Sequence, residues 1–326
     1  MTALSAGRVI VESPGRLHFG LLDLRGSLGR TFGGVGAAAP GITARVSVAR
    51  AEELRASGKD ADRAVEFARR FLAWHGIASG ADVRVERAIP SHAGLGSGTQ
   101  LALCVARALA ELYRIEATAA ELAMAVGRAR RSAVGTWTFA AGGFVLEGGR
   151  KANDDRVAPL LARLTFPASW RCVVAIPDAR RGVSGAEETA AFAALATPPE
   201  REVERVSHLV LMAMLPSIVD GDIVTFGRAL SEVQRLNGGW FAEAQGGTFA
   251  PGSTTRLVTR MLESGAAGVG QSSWGPAVYG VVEGDAAARD LSALARDTLD
   301  GTGTVCSGAF PATGAIVSRE LDRPDP

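Results

Sequence analysis

A glycine-rich run at residues 90–100 has the composition of an anion-binding loop. It reads Pro-Ser-His-Ala-Gly-Leu-Gly-Ser-Gly-Thr-Gln, after a strand-like segment and before a helix-like segment from Leu101 to Leu112. Glycines let backbone amides approach a ligand closely, and the first amides of a helix have no intrahelical partner. The run predicts a phosphate or pyrophosphate site made by Gly94, Leu95, Gly96, Ser97, Gly98, Thr99 and Gln100.

This loop differs from two common phosphate loops. It lacks the Gly-Lys-Ser/Thr ending of a P-loop, so no lysine is placed for β- and γ-phosphates, and its glycine spacing is not that of a dinucleotide fold. A glycine-rich turn without a ligand is the alternative interpretation, because such runs also form tight turns.

Arg16, His18 and Asp23 stand in an otherwise apolar stretch near the N-terminus. Pro14 and Gly15 are expected to break the strand that precedes them, and strand alternation places Arg16 and His18 on one face. Buried polar groups are costly unless a ligand or a partner satisfies them. Two interpretations stay open here: contact with a ligand, or an internal salt bridge beside a satisfied histidine.

Two further glycine-rich runs can contribute to a site. Residues 25–36 carry Arg25 and Arg30 and have the composition of a loop that wraps an acidic ligand. Residues 265–282 form a loop that leads into a strand. At its centre stand Gln271, Ser272, Ser273 and Trp274.

Composition limits the class of protein. The 326 residues are 47% hydrophobic and 21% charged, which is typical of a globular chain with one large or two ordinary domains. A net charge of +1 argues against a nucleic-acid or membrane-surface partner. The three cysteines, Cys104, Cys172 and Cys306, form no CxxC pair and are interpreted as reduced thiols. With no signal peptide or membrane span in view, the expected location is cytoplasmic.

Predicted helices and strands alternate without a regular βαβ rhythm, so the expected fold class is α+β with two lobes. Residues 118–131 are predicted to form a helix closed by Arg128, Arg130 and Arg131, and residues 132–147 a turn followed by a strand. The polar run 148–156 is taken as the link between lobes 1–156 and 157–326.

Three segments together resemble the GHMP kinase superfamily. They are Ser13-Pro-Gly-Arg-Leu-His-Phe-Gly, the loop at 90–99, and Gly268-Val-Gly-Gln-Ser-Ser-Trp-Gly. The resemblance implies an N-terminal lobe like domain 2 of ribosomal protein S5, a ferredoxin-like C-terminal lobe, and an active site between them. GHMP kinases commonly carry Ser-Gly-x-Asp after the second motif, whereas Gly135 stands at the aspartate position here. Glycine cannot accept a proton, which weakens a kinase assignment.

The chain is more specifically similar to the β-ribofuranosylaminobenzene 5′-phosphate synthases, a GHMP-fold branch of tetrahydromethanopterin biosynthesis. The similarity is carried by residues 16–30, 92–100, 181–188, 234–238, 245–247 and 271–276. It implies condensation of phosphoribosyl pyrophosphate with 4-aminobenzoate or 4-hydroxybenzoate. Pyrophosphate and carbon dioxide leave and a C-glycoside forms, in a protein that the resemblance implies is a homodimer.

That reaction suggests a role for each candidate residue. The loop from Gly94 to Gln100 would hold a phosphate or pyrophosphate with Mg²⁺, Ser97 being the first candidate for contact with the metal shell. Arg16, Arg30 and Arg181 are candidates for phosphate or carboxylate, and His18 and Asp23 for the ring substituent or ribose hydroxyls. The opposite wall is assigned to Gln271, Ser272, Ser273 and Trp274.

The sequence leaves two other classes of protein open. One is an ATP-dependent GHMP kinase of the homoserine, mevalonate or sugar type with a displaced base. The other is a GHMP-fold protein that binds a ligand without turning it over.

Overall fold

A computed structural model of the chain describes residues 7–178 and 185–320. Within these ranges the strands are β1 (Arg8–Asp23), β2 (Arg30–Ala51), β3 (Arg55–Gly58), β4 (Gly80–Arg87), β5 (Phe144–Glu147), β6 (Arg150–Lys151), β7 (Leu160–Leu164), β8 (Trp170–Ile176), β9 (Gly268–Gln271), β10 (Val278–Glu283), β11 (Thr304–Gly308) and β12 (Ile316–Glu320).

The helices are α1 (Ala61–Trp74), α2 (Ser97–Tyr113), α3 (Ala119–Ala125), α4 (Val134–Ala141), α5 (Gly185–Ala194), α6 (Glu200–Leu209), α7 (Leu215–Asp220), α8 (Ile223–Gln245), α9 (Ser253–Glu263) and α10 (Gly284–Thr298). A π-helical turn, Val210–Met214, joins α6 to α7. None of the described helices is long and apolar enough to cross a membrane.

The first lobe is built on an eight-stranded sheet. Its main path runs β12-β1-β2-β4-β3, and β5 and β6 pair with β2 while β7 pairs with β5. Helix α2 packs on β1 and β2 and is almost wholly buried along its length, from Gln100 to Ala110. This burial fixes the N-terminus of α2, and with it the glycine-rich loop, relative to the sheet.

The second lobe holds an antiparallel sheet of order β11-β8-β10-β9. Helices α9 and α10 cover one side of it, and their apolar faces meet in a separate core that includes Val173, Leu257, Met261 and Leu291. The α+β prediction is confirmed.

The lobe boundary differs from the predicted division at residue 156. The polar run 148–156 contains β6 and a turn, and β7 after it still pairs with β5 of the first sheet. The chain also returns to that sheet at its end, where β12 pairs with β1. The polar composition of residues 148–156 therefore reflects a surface turn within the first lobe and not the connection between the two lobes.

Strand β1 continues through Pro14 and Gly15, where a break was expected. The strand absorbs both residues in a register shift between Pro14 and Arg16, and a second shift follows between His18 and Gly20. Such bulges redirect side chains without ending the strand. They bring Arg16 and His18 to the same cavity.

Candidate active site

A cavity of about 760 Å³ lies between the two lobes and is lined by both. Strand β1 contributes Arg16 and His18, and the loop before α2 contributes residues from Gly94 to Thr99. From the second lobe, α8 and the loop after β9 complete the lining with residues that include Gln271, Ser273 and Trp274. The structure thus brings together three of the sequence motifs that were predicted to form one site.

The glycine-rich loop delivers the N-terminus of α2 to this cavity. Gly96 caps the helix with φ 74°, a left-handed conformation that favours glycine, and its carbonyl accepts from the amides of Thr99 and Gln100. The Leu95 carbonyl accepts from the Arg16 amide at 3.0 Å, which ties the loop to β1. The geometry fits the predicted anion site, since the first helical amides face outward from the cap.

Arginine side chains that the sequence did not single out surround this helix terminus. Two guanidiniums, from Arg63 on α1 and Arg128, converge over Gly98, where any added Cβ would collide with both. Two positive charges brought this close together repel each other. An anion placed between them would turn this repulsion into attraction.

Arg128, Arg130 and Arg131 lie on a loop, not on the helix that was predicted over residues 118–131. Helix α3 ends at Ala125, and Gly127 turns the chain with φ 68°. All three arginines therefore line the cavity, together with Arg16 and Arg63. The described lining residues include these five arginines and no aspartate or glutamate.

Aromatic side chains line another part of the cavity. Trp274 packs edge-on against Phe241 and Phe192, with ring centroids 4.9 and 5.6 Å apart, and Phe192 packs in the same way against Phe32. The Arg131 guanidinium lies over the Phe192 ring at 5.1 Å, so the cationic and aromatic parts meet there. Edge-to-face clusters of this kind offer a flat apolar surface for a further ring.

His18 is buried between these parts. Burial, with a smaller contribution from the Arg16 charge, lowers the pKa of His18 to about 3. The imidazole is therefore neutral near pH 7, and its Nε2 lies 3.2 Å from the Ser132 hydroxyl. A neutral imidazole offers one donor and one acceptor nitrogen to the site.

The loop after β9 forms the wall of the cavity that belongs to the second lobe, and hydrogen bonds hold it against the first lobe. The buried Ser272 hydroxyl donates to the Gly94 carbonyl at 2.6 Å and accepts from the His18 amide at 2.9 Å. Ser272 is thus a positioning residue behind the lining. The Gln271 amide is also engaged within the protein, donating to Gln245 and to the Ser273 carbonyl.

Besides Ser272, three of the described residues predicted for the site, Asp23, Arg30 and Gln100, do not line the cavity. The Asp23 carboxylate accepts from the amides of Arg25 and Gly26 and closes the turn after β1. Arg30 donates to the carbonyls of Gly148 and Gly149, because β2 places its side chain toward the β5–β6 turn. The run from Arg25 to Gly36 forms a turn and part of β2, and within it Phe32 lines the cavity.

Gln100 is fully buried beneath the loop. Its side chain accepts from the Ser13 hydroxyl at 2.7 Å and donates to the Gly135 carbonyl at 2.9 Å. It supports the loop from behind instead of contacting a phosphate. Arg181 lies outside the described residues.

Gly135 lies in α4, a helix that replaces the turn expected after residue 132. A Cβ at this position would lie 3.1 Å from Thr99, at the beginning of α2. The aspartate that kinases of the superfamily carry here is absent, and the described cavity lining supplies no other carboxylate.

No group of three or more histidine, cysteine, aspartate or glutamate side chains able to hold a metal ion occurs among the residues that the structure describes. The described side chains therefore do not fit a metal centre held by the protein. Ser97, the residue predicted to contact the metal shell, lines the cavity beside the N-terminus of α2.

Comparison with known proteins agrees with this architecture. Residues 61–142 match the GHMP kinases N terminal domain and residues 214–301 the GHMP kinases C terminal domain. The structure is similar to homoserine kinase from Cytophaga hutchinsonii, with a TM-score of 0.73 and 16% identity over 98% of this chain and 99% of that one. The fold and the two matched domains place the chain in the GHMP kinase superfamily.

Two curated relatives narrow the assignment. A beta-ribofuranosylphenol 5′-phosphate synthase from Methanothermobacter thermautotrophicus is 36% identical over 84% of this chain and 89% of its own length. The protein of the same name from Archaeoglobus fulgidus is 34% identical over 85% and 88%. The chain belongs to the beta-ribofuranosylphenol 5′-phosphate synthase family, as the motifs predicted, and the kinase alternative is not favoured.

Proposed function

We propose that this protein joins phosphoribosyl pyrophosphate to a para-substituted benzoate, releasing pyrophosphate and carbon dioxide. The product would be a β-ribofuranosylbenzene 5′-phosphate bearing a hydroxyl or amino group. The observation that carries the proposal is the cavity itself, in which five arginines surround a helix N-terminus beside a cluster of aromatic rings.

The two parts of the cavity match the two substrates. Phosphoribosyl pyrophosphate carries a monophosphate and a pyrophosphate, and arginine forks bind such groups with paired hydrogen bonds. A benzoate carries an aromatic ring for the Trp274 and Phe241 surface and a carboxylate for an arginine. The relatives' name, which describes a ribofuranosylphenol, favours 4-hydroxybenzoate as the second substrate.

The reaction needs positioning and charge more than proton transfer. As the bond from ribose C1 to the pyrophosphate oxygen breaks, its electrons leave with pyrophosphate, and positive charge grows on the sugar. The ring carbon that bears the carboxylate then attacks C1. Loss of carbon dioxide returns the electrons of its bond to the ring. Arginines and helix amides would stabilise the departing pyrophosphate, because they are already oriented before the charge develops.

Magnesium is part of the proposal as a counter-ion of the substrate. Because the described side chains form no cluster that could hold a metal ion, pyrophosphate oxygens and water would supply most of its ligands, with the Ser97 hydroxyl as a protein ligand. A homodimer stays a prediction from the family resemblance, and a cytoplasmic location stays a prediction from the sequence.

The test is one reaction mixture of protein, phosphoribosyl pyrophosphate and Mg²⁺ with carboxyl-labelled 4-hydroxybenzoate or 4-aminobenzoate. We expect pyrophosphate and labelled carbon dioxide in equal amounts. If neither acid yields either product, the proposal fails. A parallel mixture with ATP and homoserine or mevalonate should give no ADP, and ADP formation would favour a kinase instead.

Gly96→Val is the variant that tests the glycine-rich loop, and it is expected to be inactive. It places a branched side chain at φ 74°, which costs about 1–2 kcal/mol. Its Cβ would also lie 2.7 Å from Arg16 Cγ. We expect turnover to disappear while circular dichroism shows the same secondary structure. Near-normal turnover would contradict the assignment of the loop.

A further inference from the structure

One arginine of the cavity belongs to its aromatic part. The Arg131 guanidinium lies over the Phe192 ring, 5.1 Å from the ring centroid. Three other rings of the lining pack edge-on against Phe192 at centroid distances of 5.6–6.0 Å, namely Phe32, Phe241 and Trp274. All five side chains line the cavity, and all are half-buried. Arg131 therefore places a positive charge at the aromatic surface.

The other arginines of the lining are placed differently. Arg16 donates to a carbonyl of the glycine-rich loop, and Arg63 and Arg128 converge over Gly98 at the N-terminus of α2. The side chain of Arg130 is exposed. Within the described contacts, the charge that lies on the aromatic rings of the lining thus comes from one arginine.

A guanidinium that rests on a ring suits a planar anion. Its five N–H donors lie in the plane of the group, so stacking on a ring directs them sideways and not into the ring. Two parallel N–H groups match the two oxygens of a carboxylate, and five donors allow more than one partner at a time. A flat aromatic acid can therefore place its ring against the aromatic surface and its carboxylate beside the guanidinium.

We propose that Arg131 binds the carboxylate of the benzoate substrate and makes the protein select an aromatic acid over a neutral ring. This assignment rests on the proposed function, in which the bond from the ring to the carboxylate carbon breaks. The electron pair of that bond returns to the ring, and neutral carbon dioxide leaves the guanidinium. Arg131 therefore recognises the substrate and not the product.

The spacing of the arginines along the chain fits the geometry of the reaction. The ring carbon that bears the carboxylate attacks ribose C1, and C1 carries the pyrophosphate, so the two anion sites must be adjacent. Arg128 and Arg131 stand three residues apart on the α3–α4 loop, which limits the distance between their Cα atoms to about 11 Å. One short loop thus fixes the carboxylate site relative to the pyrophosphate site.

The first experiment compares a carboxylate with its neutral amide. Titration calorimetry follows binding of 4-hydroxybenzoate and of 4-hydroxybenzamide to the whole protein, with Mg²⁺ and inorganic pyrophosphate present so that no turnover occurs. Arg131→Met keeps an apolar stem beside Phe192 but removes the charge. It should weaken binding of the acid about 10–100-fold, as expected for lost hydrogen bonds to a charged group, and leave binding of the amide unchanged.

Arg50→Met is the matched control. The Arg50 guanidinium lies over the Tyr113 ring at 4.9 Å, a similar arrangement outside the described cavity lining. This variant should bind both ligands like the wild type. Equal losses of acid and amide in Arg131→Met would show that Arg131 only supports the aromatic surface, and unchanged binding of the acid would place the carboxylate elsewhere. Either result overturns the proposal.

The second experiment separates the two anion sites by steady-state kinetics. Arg131→Met should raise KM for 4-hydroxybenzoate about 10–100-fold and change KM for phosphoribosyl pyrophosphate by less than about threefold. Arg128→Ala should affect mainly the use of phosphoribosyl pyrophosphate. A rise in KM for phosphoribosyl pyrophosphate alone in Arg131→Met would make Arg131 a phosphate ligand and would overturn the proposal.

Arg131→Lys is the second variant, and it carries the test if Arg131→Met does not fold. It keeps the charge but loses the planar fork, so it should weaken binding of the acid less than Arg131→Met and leave the amide unchanged. Equal losses of both ligands would again count against a carboxylate site.

This assignment and the proposed function fail separately. Binding of the acid that depends on Arg131, without turnover, would overturn the reaction and keep Arg131 as a carboxylate site. Turnover with unchanged affinity for the acid in Arg131→Met would keep the reaction and overturn the role of Arg131.

Discussion

Arg63 and Arg128 converge above Gly98, although each side chain repels the other. Arg63 also pairs with Asp60 at 3.7 Å and donates to the Ser91 hydroxyl at 3.4 Å, and Arg128 donates to the Thr99 hydroxyl at 3.4 Å and lies over the Phe67 ring at 5.7 Å. At the scale of single residues, this pair is the feature that most strongly supports the proposed anion site. It was missed because its members come from α1 and from a loop that the sequence predicts as helix.

Arg128→Ala should weaken use of phosphoribosyl pyrophosphate. Removal of one hydrogen bond to a charged group costs about 1.5–3 kcal/mol, which corresponds to a fall of about 10–100-fold in kcat/KM. The measurement is steady-state kinetics with pyrophosphate release. Arg69→Ala, whose exposed side chain pairs with Glu66 away from the cavity lining, is the control and should behave like the wild type. Equal effects from the two variants would contradict an anion site at Gly98.

Ser272→Ala should damage both stability and activity. The change leaves the His18 amide and the Gly94 carbonyl without their buried partner, and an unsatisfied buried group costs about 1–3 kcal/mol. Urea unfolding and turnover are the two measurements. Ser292→Ala, which removes a buried hydroxyl bonded within α10, should lower stability but not kcat. Unchanged kcat in Ser272→Ala would show that the loop keeps its position without this bridge.

At the scale of elements, the loop before α2 and the loop after β9 could be predicted from sequence because glycine spacing is a local signal. The bulges of β1 could not, since they depend on partners far along the chain. Asn237 on α8 accepts from the Leu21 amide and donates to the Leu21 carbonyl, and Gln234 donates to the Phe19 carbonyl. These two side-chain amides satisfy backbone groups of β1 next to the second bulge.

The same limit explains why the sequence does not show that Glu147 is buried. In sequence it is only the last residue of a short strand, and nothing local indicates a buried acid. Its environment arises when the segment before α4 approaches the end of β5, where the Ala133 amide donates to the Glu147 carboxyl. Asp23 and Arg30 show the converse, because both have the residue type of a ligand contact, yet their side chains hydrogen-bond backbone groups of turns.

Asn237→Ala should therefore loosen β1 from α8. We expect a loss of about 1–3 kcal/mol in the free energy of unfolding, since two backbone groups of Leu21 lose their partner. Amide hydrogen exchange at Leu21 should speed up before exchange elsewhere in β1. Glu243→Ala, at an exposed position of the same helix, is the control. Slow exchange at Leu21 in Asn237→Ala would mean that β2 alone holds this part of the strand.

At the scale of the whole molecule, the superfamily fold provides a cleft, and the side chains in it decide the chemistry. The similarity to homoserine kinase at 16% identity concerns the fold only. A site that phosphorylates a hydroxyl group needs a base to accept the proton of that hydroxyl. This cavity has Gly135 where the kinases carry an aspartate, no carboxylate in its described lining, and a cluster of aromatic rings instead. The motif order along the chain was enough to predict the fold, whereas the five arginines of the site come together only when β1, α1 and the α3–α4 loop are folded against one another.

Ligand binding should stabilise both lobes together, because both line the cavity. At a free concentration 100 times its dissociation constant, phosphoribosyl pyrophosphate should add about 2.7 kcal/mol to the stability of the folded state. Calorimetry should show an increase in Tm with this substrate and with inorganic pyrophosphate, and little increase with 4-hydroxybenzoate alone. Arg128→Ala should reduce both increases, and 0.5 M salt should reduce them in the wild type by screening the partly exposed arginines. An increase of equal size in Arg128→Ala would place the pyrophosphate away from Gly98 and would move the anion site out of the glycine-rich loop.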